Sequence, residues 1–185
     1  MTDIADLTRR VEELESRVQI SDLISTYAIA CDERDVPRLG DLFTTDARFD
    51  SPSGLMVADG RAAIVEMFVA ILKARGPGYH WTHDHFIRFD RGSPDAASGL
   101  VLSHAETTPN GTVSLAAMRY DDEYRREAGV WRFAKRSIHF LYYVPASEFS
   151  NSLNESKRLV AGDRRLAADF PETLSAWQAF EREFG

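Results

Sequence analysis

Apolar residues recur at helical spacing from the start of the chain. Leu7, Val11, Leu14 and Val18, then Leu23 or Ile24, Tyr27 and Cys31, predict one long helix from about Ile4 to Asp32. Arg9, Arg10, Glu12, Glu13, Glu15 and Arg17 clothe its other face. Such a helix outruns a small core, so its first half is expected to overhang or to pack on a neighbouring subunit. Asp35 as cap and Pro37 in the first turn predict a short helix carrying Leu39, Leu42 and Phe43. Ala47 and Phe49 before Ser51-Pro52-Ser53-Gly54, with Leu55-Met56-Val57 after it, predict a hairpin. Asp59 is expected to cap a helix bearing Ile64, Val65, Phe68, Ile71 and Leu72, ended by Gly76-Pro77-Gly78.

From His80 onward the pattern changes to strands. His80–Asp90, Ala97–Thr107, Val113–Glu127 and Val130–Val144 are separated by Arg91-Gly92-Ser93-Pro94-Asp95, Pro109-Asn110-Gly111 and Ala128-Gly129, all turn residues. Long strands with short connections predict a curved antiparallel meander. Helices first and sheet afterwards give an α+β domain with helices over one sheet face, here assigned to residues 1–145. Residues 146–185 form a polar, helix-prone tail whose last helix starts at Pro171-Glu172-Thr173 and carries Leu174, Trp177, Phe180 and Phe184. It is a candidate lid or subunit contact.

Composition narrows the class. The 185 residues, 44% hydrophobic and 28% charged, fit one globular domain. A net charge of −7 argues against nucleic-acid and anionic-membrane partners. The single Cys31 excludes an intrachain disulfide, and no Cys cluster suggests structural zinc. Met1-Thr2-Asp3 leads straight into a charged helix, without an apolar leader or a spanning segment, so a cytoplasmic protein is expected.

The chemistry centres on Asp32 and His80. A carboxylate at a helix C-terminus is disfavoured by the macrodipole and calls for a partner. An imidazole whose tautomer a carboxylate fixes is a general base near neutral pH. Tyr27 is a candidate donor, although five residues place it about 140° round an ideal helix from Asp32. Arg136 is a candidate to stabilise an enolate or hold an anionic substituent. Phe49, Phe68, Trp81, Phe140 and Tyr142 suit a flat apolar ring. His83 and His85 share a strand face and, with His80 and His104, raise a metal reading. The glutamate of the usual motif is missing and no second histidine motif follows, so neither a metal nor a cofactor is expected. Strand parity places His104 on the convex outer face.

The run Tyr27 to Asp35 with Leu42-Phe43, then Asp46-Ala47-Arg48-Phe49, His80 ten residues before Asp90, Ala97-Ser98-Gly99, and Tyr120 through Phe133 resemble the SnoaL-like family. That family shares a cone-shaped fold with scytalone dehydratase, bile-acid 7α-dehydratase and hexachlorocyclohexane dehydrochlorinase. The resemblance covers roughly residues 5–145. It implies a catalytic pair at Asp32 and His80, a site-lining Tyr27 and a pocket Arg136. The pocket acid or base of some relatives falls here on Ala105 or Thr107. The implied activity is cofactor-independent elimination, dehydratase-like, on a cyclic polyketide, steroid or similar hydrophobic molecule. An isomerase, a cyclase and a non-catalytic binding module stand beside it. A homo-oligomer is also implied, a trimer ahead of a dimer, covering apolar groups such as Leu100, Leu102, Tyr120 and Tyr142 on the convex face.

Overall fold

The computed structural model describes residues 3–90 and 92–185, so Arg91 of the expected first turn lies outside the described residues. Helix α1 spans Ile4–Glu33; Asp3 caps it by accepting from the Ala5 N–H, and Arg34 stops it in the left-handed region at φ 57°. Asp35 accepts from the Arg38 N–H and caps α2, Val36–Asp41. Strand β1 covers Phe43–Asp50 and pairs antiparallel with β2, Ala58–Asp59. The return strand therefore starts three residues beyond the expected Leu55. Helix α3, Arg61–Lys73, is capped by Gly60 rather than by Asp59. Gly60 has φ 87°, a conformation that glycine adopts without strain. Asp59 remains in the strand and pairs with Arg48.

Strands β3 (Tyr79–Phe89), β4 (Ala96–Thr107), β5 (Ser114–Glu127) and β6 (Val130–Pro145) form the antiparallel meander. The sheet order is β2-β1-β6-β5-β4-β3, with β1 lying parallel to β6. Register shifts between Thr82 and His85, between Ala117 and Met118, and between Glu123 and Tyr124 curl the sheet. Its concave face holds Val101, Ala105, Ala116, Met118, Tyr120, Tyr124, Phe133, Ile138 and Phe140. Ile20, Leu23, Ile24, Tyr27 and Cys31 of α1, with Ile64 and Phe68 of α3, close over that face. Tyr120 is thus inside the cone, not on the convex face; it stands opposite Val101 and shares its parity. Tyr124 lies across Gly99, where an added Cβ would meet the phenol ring at 2.8 Å.

The chain after residue 145 is only partly helical. A 3₁₀ segment, Ala146–Asn154, leads into the hairpin β7 (Leu159–Ala161) and β8 (Arg164–Leu166), whose turn uses Gly162 at φ 60°. Strand β7 joins the sheet parallel to β6 through Tyr143 and Leu159, and Leu159 is fully buried. Helix α4, Ser175–Phe184, completes the chain and buries none of its residues.

Candidate active site

The end of α1 and the start of β3 meet at one point. Arg34 donates through Nη2 to the carbonyls of Arg75 (2.7 Å) and Gly76 (3.1 Å), tying the helix terminus to the segment before β3. Gly78 packs so close to β4 that a Cβ would stand 3.0 Å from the Glu106 carbonyl. That seating puts His80 opposite Asp32. Asp32 Oδ1 lies 2.6 Å from His80 Nδ1, and Oδ2 accepts from the His80 backbone N–H at 2.9 Å. Both side chains are about six-sevenths buried, at 15% and 14% exposure. The carboxylate accepts from Nδ1–H, which leaves Nε2 as the free lone pair. These contacts also satisfy the charge that the helix C-terminus disfavours.

His80 lines a cavity of about 40 Å³ with Tyr27, Cys31, Phe68, Arg75, Ala105, Thr107, Met118, Tyr120, Phe140 and Tyr143. Asp32 is not on its wall; it supports the imidazole from behind. A larger outer hollow of about 630 Å³ shares Met56, Ile71, Arg75, Phe140 and Tyr143 with this cavity. Those side chains form the neck between the two spaces. The inner volume holds a few waters at about 10–15 Å³ each, whereas small-molecule pockets run to about 300–1,000 Å³. A ring must therefore part the neck to reach the imidazole.

Tyr27 reaches the same wall without any unwinding of α1. Its ring sits edge-on among Phe43, Phe68, Tyr120 and Phe133 at centroid distances of 5.9–6.3 Å. Burial, with the Cys31 thiol beside it, pushes the Tyr27 phenol well above its ordinary value. Burial likewise pushes the Cys31 thiol up to about 12.

Other expected site residues lie elsewhere. Arg136 is behind the wall at the closed end of the cone, screened by Tyr27 and Tyr120. It donates to both oxygens of Asp122 at 2.9 Å, and both side chains are fully enclosed. Its guanidinium lies 4.1–4.2 Å from the ring centroids of Tyr27, Tyr120 and Phe133, while Nη1 has no hydrogen-bond partner. Burial opposes the charge of Arg136, but the Asp122 carboxylate outweighs it and the guanidinium stays protonated. Phe49 is fully buried behind Phe68, ring to ring at 5.4 Å, and does not reach the cavity. Trp81 is 46% exposed on the convex face beside Tyr79. Alternation along β3 forbids His80 and its neighbour Trp81 from facing the same side. Tyr142 also points outward, against Phe149, because the bulge opposite Ala117 and Met118 exchanges its parity with Tyr143. Phe68 and Phe140 do line the cavity.

The histidines do not gather. His83 stacks on His104, while His85 bonds to Ser21 at 2.7 Å. Among the described residues no group of three or more His, Cys, Asp or Glu could hold a metal. Arg75, Thr107 and Tyr143 are wall residues that sequence reasoning passed over or left uncertain. Thr107 Oγ1 and the Tyr143 hydroxyl are 2.8 Å apart, and the Arg75 guanidinium lies 5.8 Å from the Tyr143 ring.

The curved sheet is thus closed over by α1 and α3, with the Asp32–His80 contact beside its inner cavity. The SnoaL-like domain model matches residues 12–137, and the chain belongs to that family. γ-Hexachlorocyclohexane dehydrochlorinase of Sphingobium indicum is 29% identical over 139 residues, covering 73% of this chain and 86% of that protein. The crystal structure of LinA matches with a TM-score of 0.70 and 26% identity over 75% of this chain and 95% of its own. A scytalone dehydratase-like structure from Novosphingobium aromaticivorans shares the fold at a TM-score of 0.67 and 19% identity, over 74% of this chain and 91% of that one. No helix among the described residues is long and apolar enough to cross a membrane.

Proposed function

We propose that this chain is a cofactor-independent lyase acting on a small, hydrophobic cyclic molecule. The observation that carries the reading is the 2.6 Å contact of Asp32 with Nδ1 of His80, whose imidazole lines an apolar cavity. In the proposed step, His80 Nε2 takes a proton from a ring carbon. The C–H electron pair becomes the new double bond, and the group on the adjacent carbon leaves with its bonding pair. A departing hydroxyl takes the Tyr27 proton and leaves as water; the His80 imidazolium then restores that proton. A departing halide leaves as the anion. In either case Arg75 at the neck, rather than Arg136, faces the charge that develops on the leaving group. The relationship to a dehydrochlorinase supports elimination over isomerisation or cyclisation.

The test is a panel of γ-hexachlorocyclohexane and hydroxylated cyclic ketones, followed by mass spectrometry for loss of one HCl or one water. Turnover by the wild-type chain that disappears in His80→Ala, with melting temperature retained, is expected. A product of unchanged mass would favour an isomerase, and ligand binding without turnover would favour a binding module.

A further inference from the structure

The inner cavity is electrically one-sided. Of the described side chains on its wall, Arg75 is the only one that is permanently charged, and no carboxylate lines the space. Asp32 is engaged with His80 from behind that wall. Arg75 is half-buried, and among the described residues its guanidinium has neither a carboxylate nor a carbonyl partner; it faces the Tyr143 ring at 5.8 Å. Its backbone is held in place. The Arg75 carbonyl accepts from Arg34 at 2.7 Å, and the residue bridges to Pro109. Other arginines with little exposure have carboxylates: Arg119 has Asp121, Arg136 has Asp122 and Arg158 has Glu172. A cation drawn partly out of water without a counter-ion is costly, so Arg75 is short of a partner.

Two hydroxyls stand on the same wall. Thr107 Oγ1 and the Tyr143 hydroxyl are 2.8 Å apart, and the Tyr143 ring is held by stacking on Phe140 at 5.8 Å. Two hydroxyls carry two protons and use one between them, so one O–H is always left for a ligand. Burial raises the Cys31 thiol and the Tyr120 phenol, while the Arg75 charge, with that of Arg136, pulls both back. The field of Arg75 therefore reaches across the cavity. A cation and a spare O–H donor, with no competing carboxylate, are complementary to an anion. One arginine balances one charge, and its planar fork matches a carboxylate. A phosphate monoester, at a charge of about −1.5 to −2, would leave charge unbalanced. The outer hollow does not make up the difference: Arg165 is bonded to Glu148, and the exposed Asp163 opposes further negative charge.

We infer that the hydrophobic ring of the substrate carries a carboxylate, held at the neck by the Arg75 guanidinium and the Thr107–Tyr143 hydroxyls. The inference rests on the lyase reading for the ring that reaches His80, whereas the anion subsite stands on the neck residues alone. Arginine has five N–H donors, so a carboxylate along one edge leaves others for the departing group. Arg75 is thus a specificity-determining residue that rejects neutral analogues.

Isothermal titration calorimetry of the full chain tests this with cyclohexanecarboxylate, cyclohexylacetate and cyclohexylpropanoate, each against its primary amide. At least one acid should bind about ten- to a hundredfold more tightly than its amide, the range for hydrogen bonds to a charged group. Arg75→Met should abolish that preference with amide binding and melting temperature retained, and Tyr143→Phe should reduce it. His80→Ala should keep it. An acid preference without turnover of any panel compound would strike the lyase reading alone. Turnover without an acid preference would strike the anion subsite alone. Acids and amides that bind equally or not at all, cyclohexyl phosphate that binds more tightly than every acid, a preference that survives Arg75→Met, or one lost in His80→Ala would overturn the inference.

Discussion

Replacing Asp32 by asparagine is the sharpest perturbation of the candidate site, because it changes one charge and almost no volume. Both carboxylate oxygens are used: one accepts from His80 Nδ1–H at 2.6 Å and the other from the His80 backbone N–H at 2.9 Å. An amide has only one acceptor atom. If its oxygen keeps the backbone N–H, its NH₂ faces Nδ1, which must then shed its proton; the proton moves to Nε2 and the base is lost. If the oxygen keeps Nδ1–H, the NH₂ opposes the backbone donor. A hydrogen bond to a charged group is worth about 1.5–3 kcal/mol, so the variant should lose about that much stability in a denaturant titration. A positioned base contributes about a hundred- to ten-thousand-fold, and turnover on whichever panel compound the wild type converts should fall within that range. Asp32→Glu, which keeps the charge but misplaces it, should fall between the two. A loss of less than about fivefold in Asp32→Asn would refute the reasoning, since a correctly held tautomer could not then matter.

Asp122→Ala should destabilise the fold by about 3–5 kcal/mol, because it strands the Arg136 charge among aromatic rings; Asp122→Leu combined with Arg136→Met should recover most of that loss in the same titration. Cys31, its thiol pushed up to about 12, should resist alkylation at neutral pH and react only after denaturation, as followed by intact mass. On acidification, Asp121 is held low by its hydrogen bond from His139, and Glu172 by that from Arg158. Carboxyls with a depressed folded value contribute stability above the unfolded value, and lose it as pH falls through the folded one. The melting temperature should therefore drop below the ordinary carboxylate range, and Asp121→Asn should flatten that dependence. Arg75→Met should slow elimination by about tenfold or more without lowering the melting temperature, whereas Trp81→Ala on the convex face should leave turnover unchanged.

The fold was legible where single-residue chemistry coincides with period. Asp35 and the glycines of the turns mark helix and strand ends, and the four long strands fall within a residue or so of their expected bounds. The pairing of Asp32 with His80 was legible because a carboxylate at a helix terminus calls for a partner. Placement around the cavity was less legible, because it depends on parity. One register shift, between Ala117 and Met118, sends Tyr143 inward and Tyr142 outward, and no local pattern announces it. Trp81 could have been excluded in advance, since a strand cannot point adjacent residues to one side. The fate of Arg136 depended on Asp122, its partner across β5 and β6, and that pairing follows from register alone. The parallel docking of β1 and β7 on β6 is likewise a long-range feature without a local signal.

Nitrogen-15 spectroscopy of the His80 ring in its neutral form addresses the heart of the proposal, because it reads which nitrogen carries the proton. A proton on Nδ1, shared with Asp32, and a bare Nε2 that responds to ligand entering the cavity are the expected pattern. A proton resident on Nε2 in the wild-type chain would contradict the assignment of His80 as the base.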